Sequence, residues 1–174
     1  MLSQMAGTSN FDAQGTIMDK VKVNAKETME KMRDIVWMIK PIDNNLESLK
    51  DRMKHFLQEI CILKGIAFDL KTEDLDDKKF TVYQKKNMYL IFKEAVHNAI
   101  KYSNTKQLDI KISQHKKQMN MSIEDYGDGF EIDTIKKGNG LENMNARAKE
   151  LKGTLTIDSK IGRGTKIDLS FPLN

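Results

Sequence analysis

Two runs of alternating apolar residues constrain this chain more than any other feature. Leu108, Ile110 and Ile112 take every second position of one segment, Met119, Met121 and Ile123 do the same in the next, and His115-Lys116-Lys117 links them. A period of two sends successive side chains to opposite faces of a pleated strand, and so short a polar link makes the second strand return beside the first. The expected unit is an antiparallel pair, apolar on one face and polar on the other. Its apolar face needs a cover, and the flanking sequence offers helices. One starts near Thr81 and carries Met88, Ile91, Phe92, Ala95 and Ala99 to a turn at Tyr102-Ser103-Asn104. An earlier one, capped from Asp43-Asn44-Asn45, carries Leu46, Leu49, Met53, Phe56, Leu57 and Ile60 and ends at Gly65. A last helix runs from about Leu141 to Leu151.

Further strands complete the reading. Ile66 to Leu70 alternates, Glu73 to Asp77 reads as an acidic loop, and Leu155 to Ile157 with Lys166 to Phe171 forms a hairpin across Gly162-Arg163-Gly164. The expected class is α+β, a two-layer α/β sandwich with a mixed, mostly antiparallel sheet covered by helices on one face. A helical arm precedes it. There Ile17, Val21, Ala25, Thr28, Met32, Ile35 and Ile39 recur at spacings of four and three, the stripe of a helix that seeks a partner, until Pro41 ends it. Two regions follow from this, 1–41 and 42–174.

Composition excludes several classes of function. Cys61 is the sole cysteine, so an intrachain disulfide and a four-cysteine zinc site are both impossible. The net charge is +4, but basic residues come in short clusters such as Lys116-Lys117 and Lys136-Lys137, without the long stripe and interleaved aromatics of a nucleic-acid surface. No apolar run is long enough to span a bilayer, and a cytoplasmic location with no membrane contact is expected. Gly138-Asn139-Gly140 lacks the third glycine and the preceding strand of a dinucleotide loop, and Gly162 to Lys166 lacks the spacing of a Walker loop. The residues after Asp125 also rule out an EF-hand.

Four short motifs remain. Glu94, Asn98 and Lys101 fall at i, i+4 and i+7 of the third helix, where a carboxylate, an amide oxygen suited to Mg²⁺ and a cation able to meet phosphate share a side. Asp125-Tyr126-Gly127-Asp128-Gly129 ends a strand. Gly138 to Met144 opens a helix, where unpaired N–H groups attract anions. Gly162-Arg163-Gly164-Thr165 precedes the final strand. Taken singly, these read as a solvated helix face, a turn, a capped loop and a hairpin turn.

In their order and spacing the four motifs together resemble the ATP-binding (Bergerat) fold of the GHKL superfamily, shared by histidine kinases, gyrase-type topoisomerases, the ninety-kilodalton heat-shock chaperone and mismatch-repair ATPases. Glu94 and Asn98 resemble its N box, Asp125-x-Gly127-x-Gly129 the first glycine box, Gly138-x-Gly140-Leu141 the second, and Gly162-x-Gly164-Thr165 the last. The resemblance covers roughly residues 44 to 174. Gly140 to Leu151 and Asp34 to Pro41 look more narrowly like sensor histidine kinases that pair with helix-turn-helix output regulators, including large hybrid sensors.

The resemblance implies a catalytic ATP-binding domain preceded by the end of a dimerisation region. It implies that Asp125 accepts from the adenine amino group, that Gly127 and Gly129 admit the base, and that Asn98 holds Mg²⁺, with Glu94 acting as base or through metal-bound water. Lys101, Gly138, Gly140, Leu141, Gly164 and Thr165 are its other ATP contacts, with Gly138 to Gly140 as a lid. A carboxylate facing the base favours ATP over GTP, because the exocyclic amino group of adenine donates where guanine presents an oxygen. The implied partners are a response-regulator receiver domain and, in the full-length protein, a second copy. No histidine here is followed by an acidic residue on a dimerisation helix, so no phosphoacceptor is expected among His55, His97 and His115, and Leu2 to Ala6 look like the tail of the helix that would carry it. Other expectations are a serine kinase of the anti-sigma type, or a non-catalytic module binding protein or nucleic acid.

Overall fold

The computed structural model describes residues 46–73, 81–132 and 139–173, together with Met18, Val21, Ala25, Thr28, Met29, Met32, Arg33 and Val36. Two compact units divide the chain, Met1–Lys40 and Pro41–Asn174. In the first, the eight described residues are helical and exposed. Val21, Ala25, Thr28 and Met32 of the expected stripe are among them, with Met32 62% exposed. Ile17, Ile35, Ile39, the Pro41 stop and the caps at residues 43–45 lie outside the described residues, as do Leu2 to Ala6.

The second unit runs α1 (Leu46–Lys64), β1 (Ala67–Glu73), α2 (Val82–Tyr102), β2 (Gln107–His115), β3 (Gln118–Asp125), α3 (Asn139–Glu150), β4 (Thr154–Lys160) and β5 (Gly164–Pro172). In α1, Leu49, Met53, Phe56, Leu57 and Cys61 are buried at helical spacing. Gly65 then takes a left-handed φ of 63° and sends its N–H back to the Ile62 carbonyl, ending the helix where glycine was expected to. Burial pushes the Cys61 thiol up to about 11, so it behaves as a small apolar side chain. Helix α2 begins with a capping box: the Thr81 hydroxyl accepts from the Gln84 N–H at 3.1 Å and the Gln84 side chain accepts from the Thr81 N–H at 3.2 Å. The Gln84 amide also donates to the Pro172 carbonyl, tying this start to the end of β5.

Five strands form one sheet in the order β1-β2-β3-β5-β4. The β2–β3 hairpin appears as expected, with Ile110 opposite Ile123 and Ile112 opposite Met121. Strand β5 then pairs with β3 and places Leu169 opposite Met121 and Phe171 opposite Met119. These inward residues are buried and form the core with the helices, each worth about 1.5–3 kcal/mol of apolar burial. The outward face is polar, with Glu124 opposite Lys166 and Asn120 opposite Ser170.

Strand β1 pairs parallel to β2, with α2 as the crossover, and the other three pairs are antiparallel, so the sheet is mixed and mostly antiparallel as expected. One feature differs from the sequence expectation. Glu73, expected to open an acidic loop, is the last residue of β1, where its carboxylate meets Lys111 Nζ at 2.7 Å. The parallel ladder carries the strand past Leu70, and the lysine on β2 offsets the added charge. Residues 74–80 lie outside the described residues.

Candidate functional site

Alternation places Asp125 in an unusual position. It continues the inward series of Met119, Met121 and Ile123 on β3, so a carboxylate lies on the core face where the sheet runs out. It is only 5% exposed. Its Oδ1 accepts the Gly127 N–H at 3.0 Å, folding the next residues into a turn. The carboxylate borders a cavity of about 540 Å³ between α2 and the end of the sheet. That volume suits a small organic ligand.

One wall of the cavity is the α2 stripe Glu94, Ala95, Asn98, Ala99 and Tyr102, running into Ser103. Asp125, Thr165, Ile157 and Ile167 form the sheet side, and Gly129, Phe130, Gly140 and Leu141 line it as well. Among the sequence candidates, Glu94, Asn98, Asp125, Gly129, Gly140, Leu141 and Thr165 therefore meet around one space. Lys101 is not in the wall; it is exposed, with its ammonium 5.0 Å from the centre of the Tyr102 ring. Each residue turns an α-helix by about 100°, so a stripe that includes Ala95, Ala99 and Tyr102 is centred away from Lys101. Gly138 lies outside the described residues.

The remaining glycines hold loops together. A Cβ on Gly127 would overlap the Ser103 carbonyl at the end of α2, the same carbonyl that accepts the Asp128 N–H at 2.6 Å. Gly164, at φ 79°, lies against the Asp125 carbonyl, so both the backbone conformation and the close approach require glycine. A Cβ on Gly140 would overlap Glu94 Oε1, which means the first turn of α3 closes directly on that carboxylate. The same helix is tied to α2 at its other end, where the Arg147 guanidinium donates to Asn87 Oδ1 at 3.2 Å.

Side chains fasten the Asp125 turn to its surroundings. Asn104 donates to Asp128 Oδ2 at 2.6 Å, and the Tyr126 N–H donates to Thr105 Oγ1 at 3.2 Å. The Tyr126 hydroxyl donates to Asp109 Oδ2 at 2.7 Å. Bonds from Gln107 and Tyr126 hold the Asp109 carboxyl below its usual range, and the carboxylate in turn raises the Tyr126 phenol to about 12. Sequence reasoning missed Tyr102, Ser103, Phe130, Ile157 and Ile167 in the wall, and Ser159 behind it. The next turn of the stripe, i+4 from Asn98 and i+8 from Glu94, would have found Tyr102, whereas the others depend on which strands lie side by side.

None of the three histidines lines the cavity. His55 on α1 is exposed with Nε2 3.5 Å from Glu59, the His97 ring packs edge-on to Phe56 at 5.3 Å, and His115 ends β2. Among the described residues, no group of three or more His, Cys, Asp or Glu could hold a metal ion, and no helix is long and apolar enough to cross a membrane. Glu94 and Asn98 supply two oxygen donors one turn apart. That partial set fits Mg²⁺, which binds through one or two protein groups and takes the rest of its shell from water and phosphate.

Sheet order, covering helices and a cavity at the end of α2 define an ATPase fold class, and residues 83–174 match the family described as histidine kinase-, DNA gyrase B- and HSP90-like ATPase. The chain belongs to that family. Its curated relatives include the sensor histidine kinase LiaS of Bacillus subtilis, 25% identical over 86% of this chain and 41% of LiaS. The sensor protein VraS of Staphylococcus haemolyticus is 26% identical over 94% of this chain and 46% of VraS. The chain thus spans less than half the length of these relatives. Among solved structures, the Acinetobacter baumannii histidine kinase AdeS shares the fold with a TM-score of 0.64 at 18% identity, over 91% of this chain and 85% of that one. The α+β class with a mixed five-stranded sheet is the class of these neighbours.

Proposed function

We propose that this chain binds Mg·ATP and, within a longer sensor kinase, delivers the γ-phosphoryl group to a histidine for relay to a receiver-domain aspartate. The observation that carries the reading is a buried carboxylate, Asp125, in the wall of a largely apolar cavity beside Thr165. There it accepts from the amino group of adenine while Ile157, Ile167, Ala95 and Ala99 take the faces and edges of the base. Asn98 and Glu94 would hold Mg²⁺, which would supply charge neutralisation at the phosphates. The first turn of α3 offers unpaired N–H groups to the phosphates. The attacking imidazole nitrogen comes from another segment, since His55, His97 and His115 lie outside the cavity wall.

The name of LiaS supports the kinase assignment, and the exposed apolar residues Met18, Val21, Met29, Met32 and Val36 suit a helix that pairs with a second copy. Region 1–41 is then the end of the dimerisation region and 42–174 the catalytic domain. Calorimetric titration of the chain with ATP and GTP, with and without Mg²⁺, tests the reading. Binding that prefers ATP and strengthens with Mg²⁺ is expected, and equal affinity for the two nucleotides would overturn the role of Asp125.

A further inference from the structure

Ser159 stands on β4 opposite Thr165 of β5, buried just behind the cavity wall. Three groups converge on its hydroxyl: the Phe130 N–H at 2.9 Å, the Gly164 carbonyl at 3.2 Å and Thr165 Oγ1 at 2.9 Å. A serine hydroxyl has one proton and two lone pairs. The Phe130 N–H can only donate and takes one lone pair; the Gly164 carbonyl can only accept and takes the proton. One lone pair remains for Thr165, whose hydroxyl must then be the donor. Only this assignment satisfies all three contacts at once. Thr165 lines the cavity, and the assignment commits its single proton to Ser159, so toward a ligand its hydroxyl oxygen can only accept.

We propose that Ser159 is a positioning residue that sets purine specificity by accepting the hydrogen bond that the Thr165 hydroxyl donates. Thr165 and Asp125 are register partners on β5 and β3, so two acceptors then stand side by side. A 6-amino purine, with two N–H donors on one nitrogen, fits such a wall. A 6-oxo purine presents lone pairs to it and is rejected. The proposal rests on the nucleotide reading above and goes beyond it, because it locates part of the specificity in a side chain the nucleotide does not touch.

The test compares dissociation constants of Mg·ATP and Mg·ITP, which differ at the 6-position, for the 174-residue chain and its variants. The unsubstituted chain is expected to prefer ATP. In Ser159→Ala the Thr165 hydroxyl is free to turn and donate to the 6-oxo group, so the ITP/ATP ratio of dissociation constants shrinks about five- to tenfold. Ser159→Thr keeps the hydroxyl and should keep the ratio. Thr165→Val should shrink the ratio too, and adding Ser159→Ala to it should change the ratio no further. If Ser159 only supports the fold, both nucleotides weaken by one factor and the ratio stays fixed, which overturns the proposal. Should Ser159→Ala not fold, an unchanged ratio in Thr165→Val overturns it as well. An unsubstituted chain that binds neither nucleotide refutes the reading of the cavity along with this proposal, whereas a preference for ATP that is undiminished in Ser159→Ala refutes this proposal alone.

Discussion

Asp125→Asn separates binding from folding. In the native chain Oδ1 accepts the Gly127 N–H, and among the described residues the other carboxylate oxygen has no hydrogen bond. Asparagine can keep the first bond through its own oxygen and replaces the second oxygen with an NH₂ group. The fold loses a buried charge that has a single polar partner, so stability should hold or rise slightly. A ligand amino group, by contrast, loses a charge-assisted acceptor worth about 1.5–3 kcal/mol and meets a donor in its place. At about 1.4 kcal/mol per tenfold, ATP affinity should fall roughly ten- to 150-fold. Calorimetry and thermal unfolding on the same preparation read both quantities. An affinity within about threefold of the unsubstituted chain would refute the role of the carboxylate. A fall in affinity matched by a collapse of the melting temperature would mark Asp125 as a structural residue instead.

Gly127→Ala drives a Cβ into the Ser103 carbonyl and competes with the Asp128 bond to it, so urea unfolding should register a loss of about 2–4 kcal/mol; a change below about 0.5 kcal/mol would contradict the close approach. Tyr126 carries a pH signature. Its phenol ionises near 10 when unfolded and at about 12 when folded, so its contribution to stability is complete below pH ~10 and disappears as the pH rises to about 12. Tyr126→Phe should flatten that part of the stability profile, and an unchanged slope would mean that the bond to Asp109 does not persist in solution.

The parts of the fold legible in the sequence are those where one physical demand acts alone. Strands β2 and β3 alternate cleanly because one face is buried and the other wet, and Thr81, Gly65 and the Gly162–Gly164 turn mark ends through local backbone chemistry. Strand β1 was harder. Its side chains show little contrast in burial, and its parallel partner lies beyond a 21-residue helix, so neither its length nor its direction is encoded locally. At the site, a motif located Glu94, Asn98, Asp125 and Thr165, but helix phase decided that Tyr102, not Lys101, would join the cavity wall. The glycines were legible as necessary yet not for their reason: Gly127 and Gly164 are small because another part of the backbone occupies the space. Ser159 carries no local signal, since its importance arises only when β4, β5 and the Asp125 turn meet.

Strand β5 follows the other four in sequence but lies inside the sheet, between β3 and β4. The order of synthesis and the order of assembly therefore conflict. As the chain leaves the ribosome, β1, β2 and β3 can pair around α2, but β4 has no neighbour until β5 emerges and slots between it and β3. Until then the open edge of β3 is a template for other chains. The hairpin that delivers β5 also delivers Thr165 to Asp125, so the last strand to be synthesised is the one that completes the sheet side of the cavity.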